Sequence, residues 1–160
     1  MFDRKDYEQL WYCFLLRISR KALESDWKVG LAKPTYAESL PKECPPEDAS
    51  TEAMERVFRL TKSETLSETD FYSHAHQGKI KPEEHKATDC QWASCSFFTS
   101  SEAALAIKGL RRRHPWVTEL SIPAEAGKHK LRGEHIDFWR FADFDVVAAV
   151  EDHWRHDNDA

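Results

Sequence analysis

Hydrophobic and polar positions recur at regular spacings over most of this chain, and the spacing changes from one stretch to the next. Tyr7, Leu10, Trp11, Phe14, Leu15 and Ile18 return every three or four positions, which predicts an amphipathic helix from Asp3 to about Lys28 with Asp3 as its cap. Between Glu55 and Thr61 the period shortens to two, so that Val57, Arg59 and Thr61 share one face and Phe58 and Leu60 the other, as in a strand. The small and aromatic run Cys95 to Phe98 suits a half-buried strand. Trp116 to Ile122 reads as a further strand ended by Pro123, with Gly127 marking a turn in the loop beyond it. Alternation returns in Glu134 to Trp139, placing His135, Asp137 and Trp139 on one face. Val146, Val147, Val150 and Trp154 predict a short closing helix capped by Asp143 or Asp145.

Helix-start signals refine this outline. Thr99 and Glu102 stand in the capping-box relation ahead of Ala103, Ile107 and Leu110, and Arg111, Arg112 and Arg113 then sit at the carbonyl end, where positive charge is favourable. Ser67 and Asp70 repeat the box spacing, with Leu66 and Phe71 placed to form a hydrophobic staple. Residues 33 to 50 hold Pro34, Pro41, Pro45 and Pro46 among polar residues, the pattern of a linker or of an irregular arm draped on the surface. The expected organisation is an N-terminal helix and Pro-rich linker over 1–50, a globular α+β domain over 51–155 and a polar tail over 156–160. Its expected core is a mixed or antiparallel sheet of about five strands with flanking helices, preceded by the N-terminal helical arm.

At 160 residues, 41% hydrophobic and 12% aromatic, the chain is rich enough to bury a core, and its six Trp and nine Phe exclude a disordered composition. A net charge of -5 argues against a general nucleic-acid coat or a binder of anionic membranes, while leaving room for a local basic patch. No apolar run approaches the roughly 20 residues of a membrane span, and the charged start Met1 to Asp6 is not a signal peptide, so the expected location is cytoplasmic.

Cys13, Cys44, Cys90 and Cys95 form no Cys-x-x-Cys pair, and reduced thiols are the simplest expectation. A metal site of Cys90 and Cys95 with His74, His76 and His85 would need proximity in space, and the histidines lie among Lys79, Lys81, Glu83 and Glu84 in what reads as an exposed loop, so no metal is assigned.

Two constellations carry candidate chemistry. Arg59 in mid-strand is either an edge charge or a planar clamp for phosphate or carboxylate. His135 and Asp137, two apart on one strand face, can form a pair in which the carboxylate orients the imidazole, for acid–base work or simply for mutual satisfaction. Cys95 with the same pair has the residue types of a Cys-dependent hydrolase, but not the surrounding motif.

The Arg-bearing strand Val57 to Thr61, the Ser-Phe-Phe-Thr-Ser stretch Ser96 to Ser100 and the helix start Glu102-Ala103-Ala104 together resemble the core of ADP-ribosyltransferase-like domains, over roughly the last two-thirds of the chain. The resemblance implies Arg59 as a clamp on the phosphates of a nicotinamide dinucleotide (NAD), with Ser96, Thr99 and Ser100 walling the nicotinamide pocket. It also calls for a later carboxylate that engages the ribose, for which Glu119, Glu134 and Asp137 are the candidates beside His135. The implied activity is ADP-ribosyl transfer to a macromolecular acceptor by a bacterial or phage toxin or effector. The competing expectation is a non-enzymatic protein-binding module that uses the aromatic-rich surface and the first helix. Neither expectation involves a membrane, and free nucleic acid is not the first partner.

Overall fold

The computed structural model describes residues 34–156, and the predicted helix from Asp3 to Lys28 lies outside them. Six strands follow one another in the chain: β1 Met54–Thr61, β2 Cys95–Phe98, β3 Trp116–Ile122, β4 Gly127–Arg132, β5 His135–Arg140 and β6 Val150–Arg155. They form one sheet in the order β4-β5-β2-β1-β3-β6, and every neighbouring pair is antiparallel. The helices are single turns: α1 Asp89–Trp92, α2 Ser101–Leu105 and α3 Lys108–Arg111, with 3-10 turns at Glu68–Phe71 and Ala124–Ala126. The expected α+β domain with a sheet of about five strands and flanking helices is therefore corrected: the described residues form a six-stranded antiparallel sheet bearing only short helical turns.

The alternation of β1, β2, β3 and β5 is realised as two covered faces. On one, Val57, Phe97, Leu120, Ile122, Ile136 and Phe138 are buried with Phe71, Ala126 and Val146. On the other, Phe58, Leu60, Phe98 and Val117 pack under Ala103 and Ala104, with Leu105, Leu110 and Trp154 at the margin.

Two strands were unforeseen. Gly127 opens β4 rather than a loop: a Cβ there would meet the Trp139 carbonyl and come within 2.7 Å of the Phe138 ring, so only glycine allows β4 to lie this close to β5. A two-residue turn with φ +63° at Gly133 then returns the chain, pairing Arg132 with His135. The predicted closing helix is instead β6. The Asp145 carboxylate accepts from the amides of Val147 and Ala148 in a turn, after which Val150 to Arg155 pair with β3. Val150 and Trp154 fit both periods, and the open edge of β3 selects the strand.

The helix after β2 is also shorter than expected. It is capped by Ser100, whose hydroxyl accepts from the Ala103 amide, not by Thr99, and it stops at Leu105 before a separate turn at Lys108. The box of Ser67 and Asp70 does form, around a 3-10 turn.

Residues 35 to 50 lie on the sheet as an irregular arm. Ala37 donates to the Arg140 carbonyl, Ala142 to that of Thr35, and Ser50 bridges to His129. Cys44 forms a disulfide with Cys90 at the start of α1, which corrects the expectation of reduced thiols. Such a bond persists where the surroundings are oxidising. Cys95 is the free thiol among the described residues, buried in the core.

Candidate functional site

β1 and β2 pair at a single register position, Phe58 with Phe98. Beyond it Leu60 to Ser63 and the stretch around Ser94 and Ser96 no longer pair, and a cleft of about 730 Å³ opens between them. Side chains from both sheet faces line it: Arg59 and Thr61 from one, and Phe98, His135 and Asp137 from the other. This volume lies within the range of roughly 300–1,000 Å³ typical of small-molecule sites.

Of the eight residues expected to form a site, four meet here: Arg59, Ser96, His135 and Asp137. The others stand elsewhere. Ser100 caps α2. Thr99 is exposed, and its amide donates to the Glu134 carbonyl at 3.0 Å. Glu134 is itself exposed in the β4–β5 turn. Glu119 pairs with Arg56 at 2.7 Å across β1 and β3. Asp137 is thus the one carboxylate of the three candidates that reaches the cleft.

Arg59 is held firmly. Its Nη1 donates to the Ser96 carbonyl at 2.6 Å, its Nε to that of Asp70 at 2.7 Å and its Nη2 to that of Tyr72 at 3.4 Å, while the guanidinium lies 5.9 Å from the Phe97 ring centroid. One side chain therefore ties β1, β2, the 3-10 turn at Asp70 and the residue after it, Tyr72, together across the gap in the sheet. Five N–H donors serve these three bonds, so two make no bond among the described residues.

Asp137 is buried beneath His135. Arg132 grips both of its oxygens, Nε to Oδ2 at 2.6 Å and Nη2 to Oδ1 at 3.1 Å, and Ser94 lies 3.1 Å from Oδ1. The same Arg132 Nη2 sits 3.2 Å from His135 Nδ1. A guanidinium can only donate, so Nδ1 accepts and Nε2 carries the hydrogen. Burial lowers the His135 pKa and Arg132 and Arg59 lower it further, against the opposing pull of Asp137. A neutral imidazole results, oriented by Arg132 and not by Asp137: with no hydrogen on Nδ1, the carboxylate oxygen 3.5 Å away receives no bond from it, which corrects the expected carboxylate-oriented pair.

The cleft holds groups that alternation alone did not single out: Arg132, Lys62, Lys79, Arg113, His114 and the aromatic walls Tyr72 and Trp92. Trp92 is placed by α1, where Thr88 and Gln91 form a reciprocal capping box, and its indole donates to the Lys79 carbonyl at 3.0 Å. His74 and His85 pack on its ring at 4.5 and 5.0 Å. The signal that could have found these residues was the density of Trp, His and Lys in residues 74 to 92, which read as an exposed loop. Arg113, read as a helix-end charge, faces the same cavity.

The remaining alternatives lose their geometry. No cluster of metal-ligating residues forms among the described residues; Cys90 is spent in the disulfide and Cys95 points into the core. Cys95 pairs with Phe138, on the sheet face opposite His135 and Asp137, so the three cannot act as a hydrolase set. Burial also raises the Cys95 thiol pKa, the reverse of what a nucleophile needs.

The chain matches no known family, no curated protein and no solved structure.

Proposed function

We propose that the cleft binds a nicotinamide dinucleotide in the manner of ADP-ribosyltransferase-like proteins. The observation that supports this reading is the convergence of Arg59, Ser96, His135 and Asp137, far apart in the chain, on one cavity of suitable size. The two N–H donors of Arg59 left over from its carbonyl bonds would meet a phosphate, Tyr72 offers an aromatic wall to a ring, and Ser96 offers a hydroxyl to the amide. When bound, the dinucleotide supplies a glycosidic bond from which nicotinamide can leave. Asp137 is the carboxylate in the cleft lining that can stabilise the positive charge developing on the ribose, and Arg132 fixes it in place through both oxygens. Neutral His135 presents its Nε2–H as a donor toward the ligand. The acceptor would be a macromolecule, as expected of a toxin or effector.

Calorimetric titration with oxidised NAD tests the reading, with His135→Ala beside the native protein. Saturable binding that weakens in the variant supports it; no heat at millimolar ligand overturns it and leaves the protein-binding module as the standing account. Where binding is seen, Asp137→Asn separates roles: nicotinamide release should fall while dinucleotide affinity persists.

A further inference from the structure

The whole chain carries a net charge of -5, yet the cleft is electropositive. Five cationic side chains line it against two carboxylates, Asp70 and Asp137, a surplus of three before any imidazole is counted. Both carboxylates already have partners: Asp70 accepts from the Ser67 amide at 3.0 Å, and Asp137 is gripped by Arg132. The surplus gathers at one corner, where Lys62, Lys79 and Arg113 line the cavity and none of the three makes an ion pair among the described residues. The pKa of the Lys79 ammonium is lowered first by partial burial and then by the charges of Lys62, Arg59 and Arg113 that line the same cavity. Lys62, Lys79 and Arg113 are all exposed, and like charges lining a cleft without a counter-charge focus the field there and raise the local concentration of anions.

We infer that the Lys62–Lys79–Arg113 corner is a subsite for a phosphate group of high charge density, so that the preferred ligand is a nucleotide whose phosphates carry three or more negative charges. This rests on the reading of the cleft as a nucleotide site, and it names the ligand class more narrowly. A simple nicotinamide dinucleotide has a two-charge pyrophosphate offset by its cationic ring and would leave most of the corner unmatched. An added phosphomonoester brings a further charge of about -1.5 to -2 at neutral pH, and a nucleoside triphosphate brings a comparable excess. Trp92 lines the same cavity, but its indole is committed to the Lys79 backbone carbonyl and its ring to His74 and His85, so recognition rests on the cations.

The first probe is inorganic tripolyphosphate, titrated calorimetrically into the full chain beside orthophosphate. Tripolyphosphate should bind at least tenfold more tightly than orthophosphate, lose at least tenfold in affinity in Lys79→Gln/Arg113→Gln, and keep its affinity within about threefold in Lys79→Arg. Equal affinity for the two anions, or tripolyphosphate binding unchanged in the double variant, overturns the inference. Should the double variant fail to fold by circular dichroism, the exposed Lys62→Gln takes its place under the same criteria. Competition with NAD, its 2′-phosphorylated form and a nucleoside triphosphate then separates the sources of phosphate. Tripolyphosphate binding without any NAD binding removes the nicotinamide reading and upholds the corner; NAD binding without tripolyphosphate binding does the reverse.

Discussion

Arg132 grips Asp137 through both carboxylate oxygens, and the two partners differ sharply in exposure: the arginine side chain is 42% exposed and the aspartate 1%. That asymmetry sets the outcome of cutting the pair from either side. Removing Arg132 strands a charged carboxylate in the protein interior; removing the charge of Asp137 leaves a guanidinium that water can reach. Arg132→Ala should destabilise the fold by about 2–3 kcal/mol and Asp137→Asn by only about 1 kcal/mol, with the double variant costing less than their sum. Guanidinium denaturation of the four proteins checks this, and equal losses from the two single variants would contradict it.

The mid-strand Arg59 reads in the sequence as an edge charge or a ligand clamp, and either role predicts little loss of stability in Arg59→Ala, the clamp predicting lost dinucleotide binding as well. Its three bonds to backbone carbonyls predict otherwise. Charge-assisted bonds of this kind contribute about 1.5–3 kcal/mol each and do not add fully, so Arg59→Ala should lose about 3 kcal/mol or more. Lysine cannot reproduce the fork, and Arg59→Lys should recover little of the loss. Urea midpoints decide it: an unchanged midpoint in Arg59→Ala would return the residue to the status of a surface charge.

The Cys44–Cys90 disulfide spans 46 residues and fastens the irregular arm to α1, whose Gln91 and Trp92 line the cleft. Restricting an unfolded chain over a loop of this size stabilises by about 4 kcal/mol in the chain-entropy account. Cys44→Ser/Cys90→Ser, or dithiothreitol with the native protein, should lower the denaturation midpoint accordingly. Hydrogen exchange should rise first in residues 88 to 94. A midpoint insensitive to reductant would argue that the bond contributes nothing to the fold.

His74 and His114 are both pushed down to about 4, chiefly by burial and then by the cationic corner. Lys79, Arg59, His85 and Arg113 act on His74, and Arg59, Lys62, Arg113 and Lys79 on His114. In the unfolded chain both return to about 6.5 and bind protons that the folded protein refuses. Stability therefore rises with pH between about 4 and 6.5 and is lost on acidification through that window. Thermal melts at intervals from pH 7.5 to 4.5 should show Tm falling below pH 6.5, with a shallower fall in His114→Gln. An anion in the corner should raise both histidine pKa values, so tripolyphosphate affinity should increase as pH falls; histidine proton shifts in NMR titrations with and without the anion read this directly. Unmoved shifts would place the anion elsewhere.

Much of the sheet was legible in the sequence because strand alternation is a local property. Period two located β1 and β5 with their faces, from Glu55 to Thr61 and from Glu134 to Trp139, and the stretches Trp116 to Ile122 and Cys95 to Phe98 located β3 and β2. The Ser67 and Asp70 box was legible for the same reason, since its donors and acceptors lie within four residues of each other. β4 and β6 were not: Gly127 signals a turn until a second strand requires its missing Cβ, and Val150 with Trp154 satisfies helix and strand alike until the edge of β3 is there to pair with.

The site depended almost wholly on tertiary structure. Residue type pointed to Arg59, Ser96, His135 and Asp137, but where β1 and β2 part company is a matter of pairing between segments 37 residues apart at Arg59 and Ser96. That parting converts a mid-strand arginine into a cross-gap tie and brings Lys62, Lys79 and Arg113 to one corner. It also leaves Glu119, Glu134, Thr99 and Ser100 outside. The Cys44–Cys90 pairing is of the same kind, because thiols with no local motif are joined only when the fold sets their Cα atoms 5.4 Å apart. Local periodicity determined β1, β2, β3 and β5; the single register pair of Phe58 with Phe98, and the opening beyond it, exist only in the folded chain and decided where the cleft lies.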